Sequence, residues 1–451
     1  MLAQPLSISF DQAVLAALQG DHRRAVWLMR HLLAAHPGID QDLSQISVKS
    51  LQLALLQALN AGRGEIFREC PLLGRAGEAL TDKQRGVIEA LLRCHEEAWS
   101  RGQTPPPRRA DVHAPAAAWP AGAAPARTVV AFLLSRHIIC NPDFIESDFF
   151  FHMPRSAAAA GFSTAVFPAD EILYDHTVSR DKPAPARPLA AALDDLARFL
   201  AESRPDIVCI DGNFKPSAMT ITPEHLVELR RRFGFRLLVV IPDCYDALYN
   251  YVGEWAPAAD LFVTFHDLTH HLLGREDCLA VPCLPFAEDA FHPEAEKTAG
   301  VNCLGSPWRD RHVWLAGLLA GGVPVDAMFH DRRRCNALSS EDYLARMGRA
   351  KFVFSNGTVA EGESILTGRT FEAILSECLL FYEVGSPIDD FMVPFVHYVP
   401  VANIDQLIAF SRFFLEREDL RRRIAAAGRR YFLEHYGSGL FWRHVVTRLG
   451  A

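Results

Sequence analysis

Two spacings of apolar residues divide the chain. From residue 7 to about residue 101, apolar side chains recur three and four positions apart, which is the period of an amphipathic helix. From residue 128 onwards, short apolar runs alternate with helical segments. Runs that are short, apolar throughout and separated by helices predict strands of a parallel sheet that is covered on both faces.

The apolar runs fall into two sets, which predict two tandem α/β domains. The first set lies at 128–134, 164–167, 206–210, 236–241, 261–264 and 279–281. The second set lies at 301–305, 323–328, 351–354, 379–382 and 395–399. In doubly wound folds ligands bind at the carboxyl ends of the strands. We therefore expect the ligand site in the cleft between the two sheets.

The first part of the chain predicts an all-α domain. Helices are expected within 10–36, at about 46–61 and at 82–100, and the first pair resembles one tetratricopeptide unit, a helix pair that usually stacks to form a peptide-binding groove. A plain helical bundle explains the pattern equally well. The Pro- and Ala-rich segment that follows has no periodicity and is typical of a linker. The predicted divisions are 1–103 (helical), 104–127 (linker), 128–287 (first domain) and 288–451 (second domain).

Composition narrows the class of protein. Hydrophobic residues make up 49% and charged residues 22% of the 451 residues, as in globular proteins. The net charge of -8 argues against a nucleic-acid partner. The ten cysteines form no CxxC motif and predict buried free thiols in a reducing compartment. No signal peptide or transmembrane run is evident, so we expect a cytoplasmic protein.

The stretch 366–391 is the strongest candidate for ligand binding. A helix that begins at Thr370 would present free backbone N–H groups and the positive end of its dipole to an anion. Arg369 would lie beside that end, and Glu372 would lie in the first turn. This arrangement predicts a phosphorylated ligand. The structural alternative is that Thr370 caps the helix and Glu372 complements its dipole.

A succession of motifs carries a family resemblance. The segment CLPFAEDAFHP at 283–293 resembles the hinge of GT-B glycosyltransferases, and NCLGS at 302–306 resembles the opening strand and phosphate-facing turn of their donor domain. SEDYLARM at 340–347, AKFVFS at 350–355 and LTGRTFE at 366–372 follow in order. The succession is similar to the donor domain of CgeB-type (spore-maturation-protein-like) glycosyltransferases. The resemblance is good over 279–445 and extends to 128–278 only in pattern.

The resemblance implies a GT-B fold with two Rossmann-like domains and assigns donor-binding roles. Glu372 would accept hydrogen bonds from the ribose hydroxyls of a nucleotide sugar. The other implied donor-binding residues approach or neutralise the diphosphate; they are Gly305, Ser306, Arg309, Arg311, Arg369 and Thr370. Because arginine can neutralise a leaving nucleoside diphosphate, neither a metal nor a cofactor beyond the nucleotide-sugar co-substrate is expected. The final helix is expected to cross back to the first domain.

One position departs from the pattern of retaining GT-B enzymes, which carry two glutamates eight positions apart. Ser364 stands eight positions before Glu372. The stereochemical outcome therefore stays open. An inverting reaction would need a base from the first domain, and strand ends there provide Asp243 as first choice, then His137 and His266. Each aspartate at a strand end could equally cap the next helix.

The leading hypothesis is a glycosyltransferase that transfers a sugar from a nucleotide donor to an acceptor. A surface or flagellar protein is the expected acceptor, bound through the helical N-terminal domain, and a glycan stays open. One alternative is a nucleotide-sugar epimerase of the same fold. A second is a non-catalytic peptide-binding scaffold with a decayed nucleotide cleft. His266 and His270 lack a third ligand nearby in sequence and do not predict a metal site. The run at 421–423 predicts a solvated helix face.

Overall fold

The computed structural model describes residues 80–103, 128–137, 146–175, 187–241, 253–265, 277–305, 311–329, 338–360 and 363–450. The helices expected within 10–36 and at 46–61, and the segment 104–127, lie outside these residues. The expected helix at 82–100 is present as α1, Asp82–Ser100. Its start is a capping box in which Thr81 and Gln84 satisfy each other's backbone N–H groups.

Six strands form the first sheet in the order β2-β1-β3-β4-β5-β6, and every neighbouring pair is parallel. Buried β-branched and leucine side chains explain the central strands, since β3 (IVCID) is buried along its whole length. The strands are β1 Val129–Leu134, β2 Ser163–Pro168, β3 Ile207–Asp211, β4 Arg236–Ile241, β5 Leu261–Thr264 and β6 Cys278–Ala280.

Helices between these strands cover the first sheet. The start of α5 shows why one begins where it does: Thr222 caps it with His225 as partner, Pro223 takes the first position, and Gly234 ends it with φ 80°. The helices are α2 Asp148–Ala159, α3 Asp170–Leu173, α4 Leu189–Ser203, α5 Pro223–Phe233 and α6 Gly253–Trp255. We call residues 128–280 the first unit.

Five parallel strands form the second sheet in the order β13-β12-β9-β7-β8, and β10 with β11 forms a separate antiparallel hairpin. The strands are β7 Ala299–Gly305, β8 Val325–Phe329, β9 Ala350–Ser355, β10 Thr358–Ala360, β11 Glu363–Ser364, β12 Leu379–Glu383 and β13 Val399–Val401. The strand predicted at 395–399 is misplaced. Phe395 has φ 59°, in the left-handed region, and its N–H closes a turn onto Tyr398 O, so the extended strand can begin only at Val399.

The second unit, residues 288–450, contains most of the remaining helices. They are α7 Arg311–Ala320, α8 Ser340–Arg349, α9 Gly368–Leu375, α10 Ile404–Glu416, α11 Glu418–Tyr436 and α12 Ser438–Leu449, with short 3-10 turns at Glu288–Ala290 and Pro387–Asp390. Strand and helix alternate in both units, and all pairings within the six-stranded and the five-stranded sheet are parallel. The described chain is therefore an α/β protein with two parallel sheets, which is a GT-B-like architecture.

The last helix, α12, joins the two units. Trp442 is fully buried, its ring meets Phe132 of β1 edge to face at 5.6 Å, and its Nε1 donates to Ser156 Oγ of α2 at 2.8 Å. One apolar cluster accordingly runs from β1 and α2 through α12 to α9. The relative position of the two units is thus fixed by a shared core.

Helix α1 packs on the second unit. Ile88 and Leu92 join the core that lies between the second sheet and α10. The side chain of Arg85 pairs with Glu416 and that of Arg417 with Glu89. The helix therefore has its contacts with α10 and α11, although the chain continues from α1 towards the first sheet.

The solvated face expected at 421–423 is wrong for Arg421. Arg421 is only 2% exposed, pairs with Glu418 at 2.7 Å and donates to the carbonyl oxygens of Lys351 and Glu377. Those carbonyls lie where a helix meets a strand and need a donor, which the guanidinium supplies. The two arginines that follow are exposed, as expected.

Two further expectations concern cysteines and membranes. Of the described cysteines, all are free thiols; five are buried and Cys94 is exposed. In the part of the chain that the structure describes, no helix combines the length and the apolar character needed to cross a membrane.

Candidate functional site

The site is organised around the start of α9, which differs from the prediction. The helix begins at Gly368, and its N-cap is Thr367 in an extended conformation, rather than Thr370. Thr367 Oγ1 lies 3.4 Å from Ser355 Oγ at the end of β9. This contact places the N-terminus of α9 at the carboxyl end of the central strand of the second sheet, the edge at which parallel sheets bind ligands.

The earlier start of α9 moves two predicted site residues into the helix. Thr370 is fully buried, and its N–H donates to Thr367 O at 3.0 Å. Glu372 lies in the second turn and not in the first. The backbone N–H groups of Gly368 and Arg369 become the ones without acceptors inside the helix, at the positive end of its dipole. The helix start predicted from sequence is present, shifted towards the N-terminus, and anion binding there stays a prediction.

Glu372 is a buried carboxyl held by a tyrosine. Its side chain is 4% exposed, and Tyr343 of α8 donates its hydroxyl proton to Oε2 at 2.5 Å. Burial raises the pKa of Glu372 to about 8; the nearby Asp148 adds to the rise, while Tyr343 and Arg369 oppose it. Burial also raises the pKa of Tyr343 well above its usual range, so the phenol remains a donor. Tyr343 thus fixes one oxygen of Glu372.

The other carboxyl oxygen of Glu372 faces an exposed glycine. A Cβ built onto Gly368 would lie 3.9 Å from Oε1 of Glu372 and 3.8 Å from Cζ of Phe286. Gly368 is itself exposed. The missing side chain therefore leaves Oε1 next to the open start of α9.

Arg369 contributes an unsatisfied donor. Its Nε is buried and has no hydrogen-bond partner, although the guanidinium interacts electrostatically with Tyr343 and Glu372. A buried N–H without an acceptor is costly, and an oxygen of a bound anion would satisfy it. Since Arg369 also carries a positive charge beside a helix N-terminus, this position is suited to a phosphate group.

Asp148 brings the first unit into the site, and sequence reasoning missed it. It is the first residue of α2, and its carboxylate interacts electrostatically with Arg369 and Glu372. Desolvation raises the pKa of Asp148 and Arg369 opposes that rise, yet the residue is exposed. Because water reaches the Asp148 carboxylate, solvent screens these interactions. Its place after β1 was the signal that could have identified it.

His137, a predicted catalytic residue, is held at the end of β1 by Asp170. The backbone N–H groups of Arg136 and His137 donate to the Asp170 carboxylate at 3.0 and 3.2 Å, and the His137 Nδ1 lies 3.7 Å from Oδ1. Asp170 is the first residue of α3, directly after β2. His137 also forms an isolated bridge with Glu146, which leads into α2. The histidine therefore lies at the carboxyl edge of the first sheet.

Only some of the remaining predicted residues lie within the described ranges. Asp243, His266, Ser306 and Arg309 lie outside the described residues. Gly305 is the last residue of β7, in register with Phe329 of β8, and Arg311 is the first residue of α7. Across the described ranges, no three His, Cys, Asp or Glu side chains are grouped so that they could hold a metal ion.

The connection between the units packs against α2 beside this site. The backbone N–H of Ala287 donates to His152 Nδ1 at 3.3 Å, and the rings of Phe286 and Phe291 pack on His152 at 5.1 and 5.7 Å. Phe286 is the same side chain that borders Gly368. The hinge, α2 and the start of α9 therefore meet at one place.

The second unit is similar to a known protein family. Residues 288–447 match the family model described as glycosyl transferase-like. This match covers α9 and Glu372. It names a more general family than the CgeB-type glycosyltransferases that the sequence motifs resemble. The second unit is thus similar to glycosyl transferase-like domains, and it lies within a GT-B-like fold.

Several solved structures are similar to the chain. Sucrose-phosphate synthase from Thermosynechococcus elongatus has 13% identity over 72% of this chain and 99% of its own, with a TM-score of 0.44. A glycosyltransferase from Rickettsia africae has 14% identity over 72% of this chain and 98% of its own, with a TM-score of 0.43. Anabaena HepE in complex with UDP-glucose has 10% identity over 72% of this chain and 99% of its own, with a TM-score of 0.43. Among curated proteins no sequence matches the chain. The fold assignment rests on the strand order above.

Proposed function

We propose that this protein is a glycosyltransferase that takes its sugar from a nucleotide donor bound at the start of α9. The observation that carries the proposal is the pair formed by Glu372 and Arg369, a tyrosine-held carboxyl beside a guanidinium whose Nε lacks a partner. The pair lies at the carboxyl edge of a parallel sheet and within the region that matches the glycosyl transferase-like family. A non-catalytic scaffold would have no need of this buried polar arrangement.

Each group has a role that follows from its chemistry. Glu372 accepts hydrogen bonds from the ribose hydroxyls through Oε1, because Tyr343 already occupies Oε2. Arg369 donates its unsatisfied N–H to the diphosphate and, with the N-terminus of α9, stabilises the negative charge that develops when the sugar leaves. The backbone at Gly305 approaches the diphosphate from β7.

The transfer itself breaks the bond between the anomeric carbon and the diphosphate oxygen and forms a bond from that carbon to an acceptor oxygen. The bonding electrons leave with the nucleoside diphosphate. If the transfer inverts the sugar, the acceptor proton passes to a base, for which Asp243, His137 and His266 are the candidates from the first unit. The arginine at α9 supplies the charge neutralisation that a metal supplies in other enzymes, so we expect activity without an added divalent ion.

A thermal-shift panel with the full chain tests donor binding. UDP-, GDP-, CMP- and dTDP-sugars are added in turn, with UDP-glucose first because the similar HepE structure contains it. One class should raise the melting temperature, because a ligand that binds only the folded state stabilises it. Glu372→Ala should weaken that ligand about 10- to 100-fold, the range expected for lost hydrogen bonds to a charged group.

The control for this panel is Glu341→Gln, which alters an exposed carboxylate on α8, the helix that carries Tyr343. It should respond to the ligand as the wild type does. Equal affinity of Glu372→Ala and the wild type would show that the ribose role is misassigned. If no nucleotide sugar stabilised the wild type, the donor-binding proposal would fail.

Transfer is distinguished from isomerisation by the products. Incubation with the stabilising donor and cell lysate should release nucleoside diphosphate and add a sugar mass to a protein or glycan acceptor, which mass spectrometry detects. Isomerised donor without transfer would indicate an epimerase instead. A protein acceptor remains our expectation from the sequence, and the protein and glycan fractions of the lysate should be analysed separately.

A further inference from the structure

We propose that Asp148 is a substrate-binding residue contributed by the first unit, and that its carboxylate accepts hydrogen bonds from the hydroxyl groups of the donor sugar. The inference rests on the proposed donor site at α9 and extends it to the sugar end of the ligand. It gives the first unit a specificity-determining residue that neither the family match nor the sequence motifs indicated.

The carboxylate of Asp148 is available for a ligand. It is exposed, and among the described residues no hydrogen bond or ion pair occupies it. In contrast, Asp170 at the start of α3 receives three backbone or hydroxyl donors from residues 135–137. Of these two aspartates at helix starts of the first unit, Asp148 is the one whose oxygens accept no hydrogen bond from the described residues.

The charges of these side chains indicate which part of the ligand each one can meet. Asp148 is an exposed carboxylate and repels a diphosphate, whereas Arg369 interacts with both Asp148 and Glu372 and attracts one. A nucleotide sugar has hydroxyl-bearing rings on both sides of its diphosphate. With the ribose at Glu372 and the diphosphate at Arg369, the group left to meet Asp148 is the sugar.

The hinge keeps Asp148 in position for this contact. His152, one turn further along α2, accepts the Ala287 N–H, and Phe286 packs on His152 while also bordering Gly368 at the start of α9. The spacing between Asp148 and α9 is therefore set by side chains that touch both units. Preorganised polar groups bind a ligand with less loss of free energy than mobile ones.

Isothermal titration of the full chain with UDP and with UDP-glucose tests the inference. Asp148→Asn should bind UDP within about twofold of the wild type and UDP-glucose at least about tenfold more weakly, because only UDP-glucose carries the hydroxyls in question. Asp148→Glu, which keeps the charge, should recover part of the loss. Asp194→Asn, an exposed aspartate on α4, is the matched control and should bind both ligands as the wild type does.

Three results would overturn the inference. Asp148→Asn could bind UDP-glucose as tightly as the wild type. It could lose UDP and UDP-glucose equally, which would place Asp148 at the nucleotide. It could also lose thermal stability without ligand while both affinities stay unchanged, which would make Asp148 a complement to the α2 dipole. If the wild type bound neither ligand, a uridine donor would be refuted, and the same titrations would use the nucleotide and nucleotide sugar that the thermal-shift panel selects. If the panel selected none, the donor-site proposal and this inference would fail together, before any variant was compared.

Discussion

A side-chain carboxyl group lies near the carboxyl edge of each sheet, but one of the two is buried and the other is exposed. At the second sheet, Glu372 is buried and held by Tyr343 at 2.5 Å. At the first sheet, Asp148 is exposed and accepts no hydrogen bond from the described residues. A buried and oriented carboxyl suits a ligand portion that never varies, and an exposed one suits a portion that differs between substrates. The contrast teaches that nucleotide recognition and sugar discrimination can be divided between two units of similar architecture.

The two carboxyl groups can serve one ligand only if the two units keep their relative position. We therefore expect the largest loss of stability when the residue that joins the units is changed. Trp442→Ala removes a fully buried indole and its bond to Ser156, and we expect unfolding to require about 3–5 kcal/mol less free energy. Urea denaturation measures the loss. Trp442→Phe retains a ring against Phe132 and should lose much less. A loss below about 1 kcal/mol for the alanine variant would contradict a shared core.

The pH dependence of stability reports the burial of Glu372 at the edge of the second sheet. Burial raises the pKa of Glu372 to about 8, so between about pH 5 and pH 8 the unfolded chain ionises this carboxyl while the folded chain keeps it protonated. The folded state then binds the extra proton, and stability falls as pH rises through this range, by at most about 1.4 kcal/mol per pH unit. Above the folded pKa the contribution is constant.

Glu372→Gln should abolish this slope, because glutamine does not titrate. Urea midpoints of wild type and variant, measured from pH 5 to pH 9 at constant ionic strength, give the difference. The free energy of unfolding of the variant should rise relative to that of the wild type as pH rises from 5 to 8. If the difference between the two free energies did not change with pH, Glu372 would be ionised throughout this range. Asp148, Tyr343 and Arg369 face the same group and remain in both proteins, so their own titrations cancel to first order.

The smallest effect is expected at the surface of the second unit, where α1 is attached by ion pairs as well as apolar contacts. Arg85 and Glu416 are both partly exposed, and such a pair contributes about 0–1 kcal/mol. A double-mutant cycle with Arg85→Ala and Glu416→Ala measures the coupling, which should shrink further in high salt. A coupling well above 1 kcal/mol would mean that charge rather than the buried Ile88 and Leu92 holds α1.

Most strands were predictable because a buried parallel strand is a short run of apolar residues with turns at both ends. The runs at 236–241 and 261–264 coincide with β4 and β5. The error at 395–399 arose because the run is apolar, but Phe395 adopts a left-handed turn that hydropathy does not reveal. Arg421 was misjudged because its partners are carbonyl groups brought near by the fold, which no local pattern shows.

The site was predictable only where one segment contains it. Arg369 and Glu372 stand three residues apart on one helix, so a helix start with an arginine and a carboxylate could be inferred from the letters alone. The start itself was placed at Thr370 instead of Gly368, since several threonines there can serve as caps. Tyr343 and Asp148 reach the site from other elements, and the sequence carried no signal for Tyr343 beyond an ordinary position in an amphipathic helix.

The attachment of α1 to the second unit changes how the chain is divided. Because residues 80–103 pack with 288–450, the first unit is an insertion, tied covalently to the other body at both its ends. Unfolding of the first unit alone would leave it as a loop closed at both ends by the folded second unit. Such a closed loop has less conformational entropy than a free chain of the same length.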